Sequence, residues 1–337
     1  MKYLALLIIP ILFSCQSGST DQQAAAKADA DSALYAPMVL PLTDSLGMFP
    51  DNADLHFRRA LLLFNTDPAL AQKDFEKAAQ LKPTVTDYWA GAGEAALLVE
   101  DYKKAVGFFE QALKTSPSYP YLEYRLATAF IENKQYRQAD SLSSVLAASK
   151  DTHDKAFYLK ARIAEERKDT TLAIKHLITA IDAAGMQSDY DAVMELGDLL
   201  QNRHLPAAIR YYELASRLDS TNADAQYAIG QYYERDGKIP EAIAAYKSGI
   251  VTDPDDEDIY IALGKIYYRQ QQWQPAFNYF NLAARTSPAD AEAYYYRARC
   301  HTKLGRKLAA IDDYTKALSF RKSYPEAKKA LDSLKNK

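Results

Sequence analysis

A small residue returns at a nearly constant interval along this chain. Ala71, Ala105, Ala139, Ala173, Ala208, Ala242, Ala276 and Ala310 follow one another at steps of 34, 34, 34, 35, 34, 34 and 34 residues. A second small row precedes it by eleven or twelve positions: Ala60, Gly93, Ala127, Ala161, Gly197, Gly230, Gly264 and Ala298. Four residues after each alanine stands Phe75, Phe109, Ser143, Leu177, Tyr212, Tyr246, Phe280 or Tyr314. Three beyond that stands Ala78, Ala112, Leu146, Ala180, Ala215, Gly249, Ala283 or Ala317. A period of this length marks stacked supersecondary units, none of which buries its apolar face alone.

The spacings within a unit are helical. Small residues on two facing helices let their axes approach at the short end of the usual separation of about 8–10 Å, and the large residues fill the gaps between stacked hairpins. Pro83, Pro117, Pro254 and Pro288 close four units, where a residue without an N–H ends the second helix. Pro68, Pro206, Pro240 and Pro275 precede the alanine row by one to three positions, which places them in the first turn of the second helix. Asp236-Gly237 reads as a C-cap.

This helix–turn–helix pattern resembles the tetratricopeptide repeat. The clearest units are Trp89…Ala92-Gly93…Ala96…Ala105…Phe109…Ala112…Pro117 and Tyr260…Leu263-Gly264…Tyr267…Ala276…Phe280…Ala283…Pro288. The resemblance implies an all-α fold, a right-handed superhelical α-solenoid, with eight repeats over residues 53–324. The third unit departs most, with Ser143 and Leu146 in place of an aromatic and an alanine. The interval from Ala161 to Gly197 is longer and contains Gly185-Met186-Gln187-Ser188, so a looser joint is expected there. Residues 325–337 read as a capping helix, with Ala327, Ala330, Leu331 and Leu334 on one face. Residues 34–52 read as a degenerate N-terminal cap.

The first residues have the layout of an address. Lys2 opens a positive region, and Tyr3 to Phe13 is an apolar run broken by Pro10, too short to cross a hydrocarbon core of about 30 Å. Leu12-Phe13-Ser14-Cys15 resembles a bacterial lipobox, with Phe13 bulkier than usual. The resemblance implies cleavage of residues 1–14, lipidation of Cys15 and anchoring in the bacterial cell envelope, with Gln16 leaning toward the outer membrane. An ordinary signal peptide with a chance cysteine is the alternative. Residues 15–33, with no aromatic and no large aliphatic from Gln16 to Ala33, read as a flexible tether behind the lipidated cysteine. Cys300 is then the one remaining thiol, expected to serve as a small buried hydrophobe.

The chemistry-bearing patterns are sparse. Lys plus Arg number 41 against 44 Asp plus Glu, which argues against a dominant grip on nucleic acid. None of His56, His153, His176, His204 and His301 stands in HExxH, and no Cys/His cluster has zinc spacing. Gly91-Ala92-Gly93-Glu94-Ala95-Ala96 matches a dinucleotide fingerprint on paper, but it lies within a helical pattern. Asp253-Pro254-Asp255-Asp256-Glu257-Asp258 reads as helix-start charge rather than a calcium loop. The expectation is a non-catalytic protein without cofactor or metal.

The resemblance also implies where a partner sits, since first helices of such repeats line a concave groove. Position 5 then carries Phe57, Tyr124, Tyr158, Tyr227 and Tyr295, and position 9 carries Arg162, Gln231, Lys265 and Arg299. Tyr268 and Arg269 join them late in the chain, with Lys303. Glu165, Glu166, Asp191 and Asp198 make the middle acidic, whereas the C-terminal end is basic. The chain holds 25 tyrosines, a side chain that suits interface hot spots and inter-repeat core alike. The functional expectation is a membrane-anchored scaffold binding a protein or peptide segment. The alternative is an envelope glycan-binding protein or enzyme accessory using the aromatic groove.

Overall fold

The computed structural model describes residues 32–336. The signal-peptide reading, Cys15 and nearly all of the tether fall outside the described residues. Those residues form α-helices joined by tight turns, with no strand among them. None of the described helices is long and apolar enough to cross a membrane. Contacts divide the chain into two compact units, one ending at Ile163 and the other starting at Ala164.

In the first unit a 3-10 turn, Ala33–Tyr35, precedes α1 (Leu40–Met48). Three helical hairpins follow: α2 (Ala53–Leu63) with α3 (Pro68–Leu81), α4 (Thr86–Leu98) with α5 (Tyr102–Thr115), and α6 (Pro120–Glu132) with α7 (Tyr136–Leu146). Most of α8 (His153–Glu166) also belongs to it. The second unit contains α9 (Thr170–Ala184), then α10 (Tyr190–Asn202) with α11 (Ala208–Leu218), and α12 (Asp224–Arg235) with α13 (Ile239–Thr252). Next come α14 (Glu257–Arg269) with α15 (Trp273–Thr286), α16 (Ala291–Lys303) with α17 (Lys307–Phe320), and finally α18 (Pro325–Lys335). Within the hairpins each helix packs on its sequence neighbour, the low-separation contact pattern of a repeat array.

The periodic rows are the core. Every member of the four rows is buried, including the exceptional Ser143, whose hydroxyl donates to the Ala139 carbonyl at 2.7 Å. That local bond satisfies a hydroxyl that would otherwise be stranded among apolar atoms. The packing partner of the small row on the first helices, however, differs from the expectation of small against small. A Cβ built on Gly93 would lie 2.8 Å from the Phe109 ring, and one on Gly197, Gly230 or Gly264 would lie closer still to Tyr212, Tyr246 or Phe280. The glycine makes room for the aromatic of its own hairpin. Backbone and ring are packed closely enough that no side chain fits between them.

Turn chemistry repeats as well. Between the two helices of successive hairpins one residue takes positive φ: Glu100, Lys134, Lys168, His204, Gly237, Gln271 and Gly305, all between 57° and 76°. Only two are glycine, so five side chains tolerate the left-handed region to keep the turn. The residue that starts the second helix is a capping aspartate in three units, Asp67, Asp101 and Asp169, each accepting from a backbone N–H three residues on. The closing prolines act through their carbonyls too. Pro83 receives the Trp89 indole N–H at 2.9 Å and Pro254 the Tyr260 hydroxyl at 2.8 Å, pinning each inter-hairpin turn to the next helix.

Pro68, Pro240 and Pro275 stand in the first turn of their helices, but Pro206 does not. It lies two residues before α11, in a turn with Leu205 and Ala207, so the expectation fails there. The sequence around Gly185 forms a single 3-10 turn, Gly185–Gln187, with Gly185 at φ 56° and Met186 exposed. Gly237 follows α12 at φ 76°, the C-terminal stop its sequence suggests. At the C-terminus, Ala327 and Leu331 of α18 are buried against Ala310 and Tyr314, with Ala330 and Leu334 packed beside them. Cys300 is fully buried, and burial pushes its thiol up to about 12.

Candidate functional site

The residues assigned to the groove from sequence lie on the first helices of their hairpins. In the first unit, Phe57 is not presented outward. Its ring lies 5.6 Å from Phe75 and 4.8 Å from Tyr88, within the packing of α2, α3 and α4. Tyr124 is half-buried against the core of this unit, and Tyr158 is half-buried on α8. Arg162 donates to Glu132 at 2.6 Å, linking α8 to α6. Sequence reasoning missed the neighbouring cluster. Arg125 of α6 grips Glu94 of α4 through Nε at 2.6 Å and through Nη2, and the Tyr121 hydroxyl donates to the same carboxylate at 2.9 Å. Tyr121 stays about half exposed and rests on Tyr119.

The second unit concentrates more of the expected residues. One open cleft of about 410 Å³ is lined by Tyr227 and Gln231 of α12 and by Ile261 and Lys265 of α14. Glu234, Asp258 and Glu292 share its walls with Arg235 and Lys265. Burial raises the Asp258 carboxyl above the usual carboxylate range, and the neighbouring Glu257, Asp290 and Glu292 push the same way. Asp198, counted with the groove from sequence, accepts the buried Tyr212 hydroxyl at 2.7 Å. Burial, and then this carboxylate, raise the Tyr212 hydroxyl.

A second cleft of about 470 Å³ shares Lys265 with the first and is basic. It brings together Lys265, Tyr268 and Arg269 of α14 with Arg299 and Lys303 of α16. Two of these cations are already matched: Lys265 to Glu292 at 2.8 Å and Arg269 to Glu234. The other two rest on aromatic faces. The Arg299 guanidinium lies 4.5 Å from the Tyr268 centroid and 5.4 Å from that of Tyr296, while Lys303 lies 5.4 Å from Trp273. Trp273 and Tyr296 were invisible to the position-by-position reading, because neither falls on the positions assigned to the groove. Tyr295 stands between this cleft and the core, with Arg299 5.6 Å from its centroid. Its ring packs 6.0 Å from Tyr314 and 4.8 Å from Tyr324, inside the core that α16, α17 and the capping helix share.

No group of three or more His, Cys, Asp or Glu among the described residues is arranged to hold a metal ion. The acidic run at 253–258 engages backbone instead. Asp253 accepts from the Asp255 N–H, and Asp256 caps α14 by accepting from Ile259 N–H.

These hairpins, with alternating small and aromatic rows, define a helical repeat protein of the interaction type. The chain carries tetratricopeptide repeats. Family models described as tetratricopeptide repeat match residues 96–163, and residues 61–120 with 261–328. One described as TPR repeat matches residues 235–271. No curated protein sequence matches the chain. Among solved structures, it is similar to the C-terminal part of a TPR repeat-containing protein from Cytophaga hutchinsonii, with 19% identity and a TM-score of 0.58 over 73% of this chain and 99% of that one. That likeness shows the fold. It also matches MamA at 20% identity and a TM-score of 0.44, over 51% of this chain and 94% of the other. A match to the APC/C hetero-tetramer Cut9-Hcn1 has 14% identity and a TM-score of 0.45, over 86% and 57%.

Proposed function

We propose that this protein is a non-catalytic scaffold that holds a segment of a partner protein against its first-helix faces, and that Cys15 anchors it by lipid to the bacterial cell envelope. The observation that carries the binding role is the pair of adjoining clefts on α12, α14 and α16. They gather Tyr227, Gln231, Lys265, Tyr268, Arg269 and Arg299, six residues scattered over more than seventy positions of sequence. Tetratricopeptide repeats mediate binding between proteins, and these side chains offer aromatic area, hydrogen bonds and charge at one surface.

In this reading the first unit contributes a second contact area around Tyr124, Tyr158 and Arg162. The test is crosslinking capture from membranes followed by mass identification of what is held. Changing Tyr124 and Tyr158 together to Ala should reduce the captured protein while far-UV circular dichroism stays unchanged; undiminished capture counts against binding at that face. The anchor is tested separately. Cys15→Ser should abolish incorporation of an alkyne-tagged fatty acid and release the protein from the membrane fraction. Retention of both label and membrane attachment overturns the anchoring.

A further inference from the structure

Arg299 and Lys303 differ from the other two cations of the basic cleft. Among the described residues neither is joined to a carboxylate, whereas Lys265 and Arg269 beside them are. Their cleft therefore carries about two uncompensated positive charges. Both are held from behind: Arg299 by the rings of Tyr268, Tyr295 and Tyr296, at 4.5, 5.6 and 5.4 Å, and Lys303 by Trp273. A guanidinium lying on a ring leaves its N–H edge for a carboxylate, a planar and bidentate pairing. Ring-backed cations are also pre-positioned, so less side-chain freedom is lost when an anion arrives.

We infer that Arg299 and Lys303 form a receptor for an acidic peptide segment with carboxylates at alternate residues, Asp/Glu-x-Asp/Glu. This rests on the scaffold reading and names the chemistry of its partner. The spacing argument is direct. Residues four apart on a helix have Cβ atoms about 5–6 Å apart, as Arg299 and Lys303 do on α16. Alternate residues of an extended peptide project to one side at about 6.6 Å, twice the rise per residue. Adjacent carboxylates project to opposite faces and do not match. The neighbouring cleft sets Glu234, Asp258 and Glu292 against Arg235 and Lys265, so it offers no net positive charge to extend the anionic stretch beyond Lys265, which the two clefts share.

The same geometry argues against a sugar as the occupant. Stacking of a saccharide needs a free aromatic face. Here Lys303 covers Trp273, Arg299 covers Tyr268, and Tyr296 has Phe280 stacked on it at 5.1 Å with Arg299 and Lys265 also over its ring.

The test pans a displayed library of random twelve-residue peptides on the full chain and then titrates synthetic peptides in a Trp89→Phe background, where Trp273 is the sole indole reporter. Selected peptides should be enriched in Asp/Glu-x-Asp/Glu. A Glu-Ala-Glu peptide should change Trp273 emission saturably and more weakly as salt rises, whereas Gln-Ala-Gln should not. Arg299→Gln and Lys303→Gln should each weaken binding about tenfold, the loss of one charge-assisted contact, with helicity unchanged. Selected peptides lacking acidic residues, or binding indifferent to both substitutions, overturn this inference and leave the scaffold reading standing. Selection of no peptide removes both. An oligogalacturonate that saturates Trp273 emission more tightly than Glu-Ala-Glu replaces the peptide with an acidic glycan and refutes the assignment.

Discussion

Two glycines of one hairpin have opposite reasons to exist. Gly93 in α4 lies against the fully buried Phe109 ring, where an added Cβ would sit 2.8 Å from Cε1 and Cζ, closer than carbon atoms approach. Gly107 in α5 has nothing within 4 Å of its added Cβ. Both are helix-interior positions, so alanine gains about 0.8–1 kcal/mol of helix propensity at each. At Gly93 that gain is opposed by overpacking of about 1–3 kcal/mol, since the ring has no free volume to move into. Gly107→Ala should therefore stabilise by about 0.5–1 kcal/mol, and Gly93→Ala should be neutral or destabilising by up to about 2 kcal/mol. The propensity gain cancels in the comparison, which leaves the steric cost alone. Urea unfolding followed by Trp89 fluorescence, in a Trp273→Phe background, reads the same hairpin for both variants. Phe109→Leu supplies the control: in that background Gly93→Ala should become stabilising, a coupling that a double-mutant cycle measures. If Gly93→Ala proves as stabilising as Gly107→Ala, the ring does not set the small row and the packing argument fails.

Other consequences are simpler to state. Asp313 is buried and receives two N–H groups of Arg297 at 2.7 Å each, so Asp313→Ala should cost about 3–5 kcal/mol by stranding a guanidinium, measured as a fall in the thermal midpoint. The turn residues with positive φ predict opposite signs: Lys134→Gly should be neutral or stabilising, whereas Gly305→Ala should destabilise by about 1 kcal/mol in chemical denaturation. Burial lowers the His301 pKa below its ordinary value near 6.5, with Arg306 and Arg297 acting the same way against the opposing pull of Asp313. The unfolded chain therefore takes up that proton first, and stability falls as pH drops through about 6.5, levelling off below the folded value. His301→Gln should lose less stability between pH 7 and 5 than the wild type; equal losses would show that this imidazole does not contribute.

Much of the candidate site was legible only in part. Lys265, Arg269, Arg299 and Lys303 are visible in sequence as a late basic cluster, because their helical spacing fixes them to one side of consecutive first helices. Their inequality is not visible. Glu292 and Glu234 neutralise two of them from other helices, and that depends on side-chain reach across hairpins. Phe57 and Tyr295 occupy the same repeat position as Tyr227, yet they pack among aromatics while Tyr227 lines a cleft. Their neighbours Tyr88 and Tyr324 decide this, and no rule of position within the unit contains them. Buried ion pairs at both terminal hairpins, Asp74 with Arg59 and Asp313 with Arg297, also escaped the reading, since a lone aspartate in a second helix looks like surface.

By itself the sequence determined the helical hairpins, their length and their succession, because the periodic rows of small residues have only one way to escape water: against another helix carrying the matching aromatic. Tertiary structure decided which of many tyrosines and cations remain available to a partner. Availability is a balance of charge and area over several helices, and a repeat sequence specifies each helix far more tightly than it specifies what its neighbours leave uncovered.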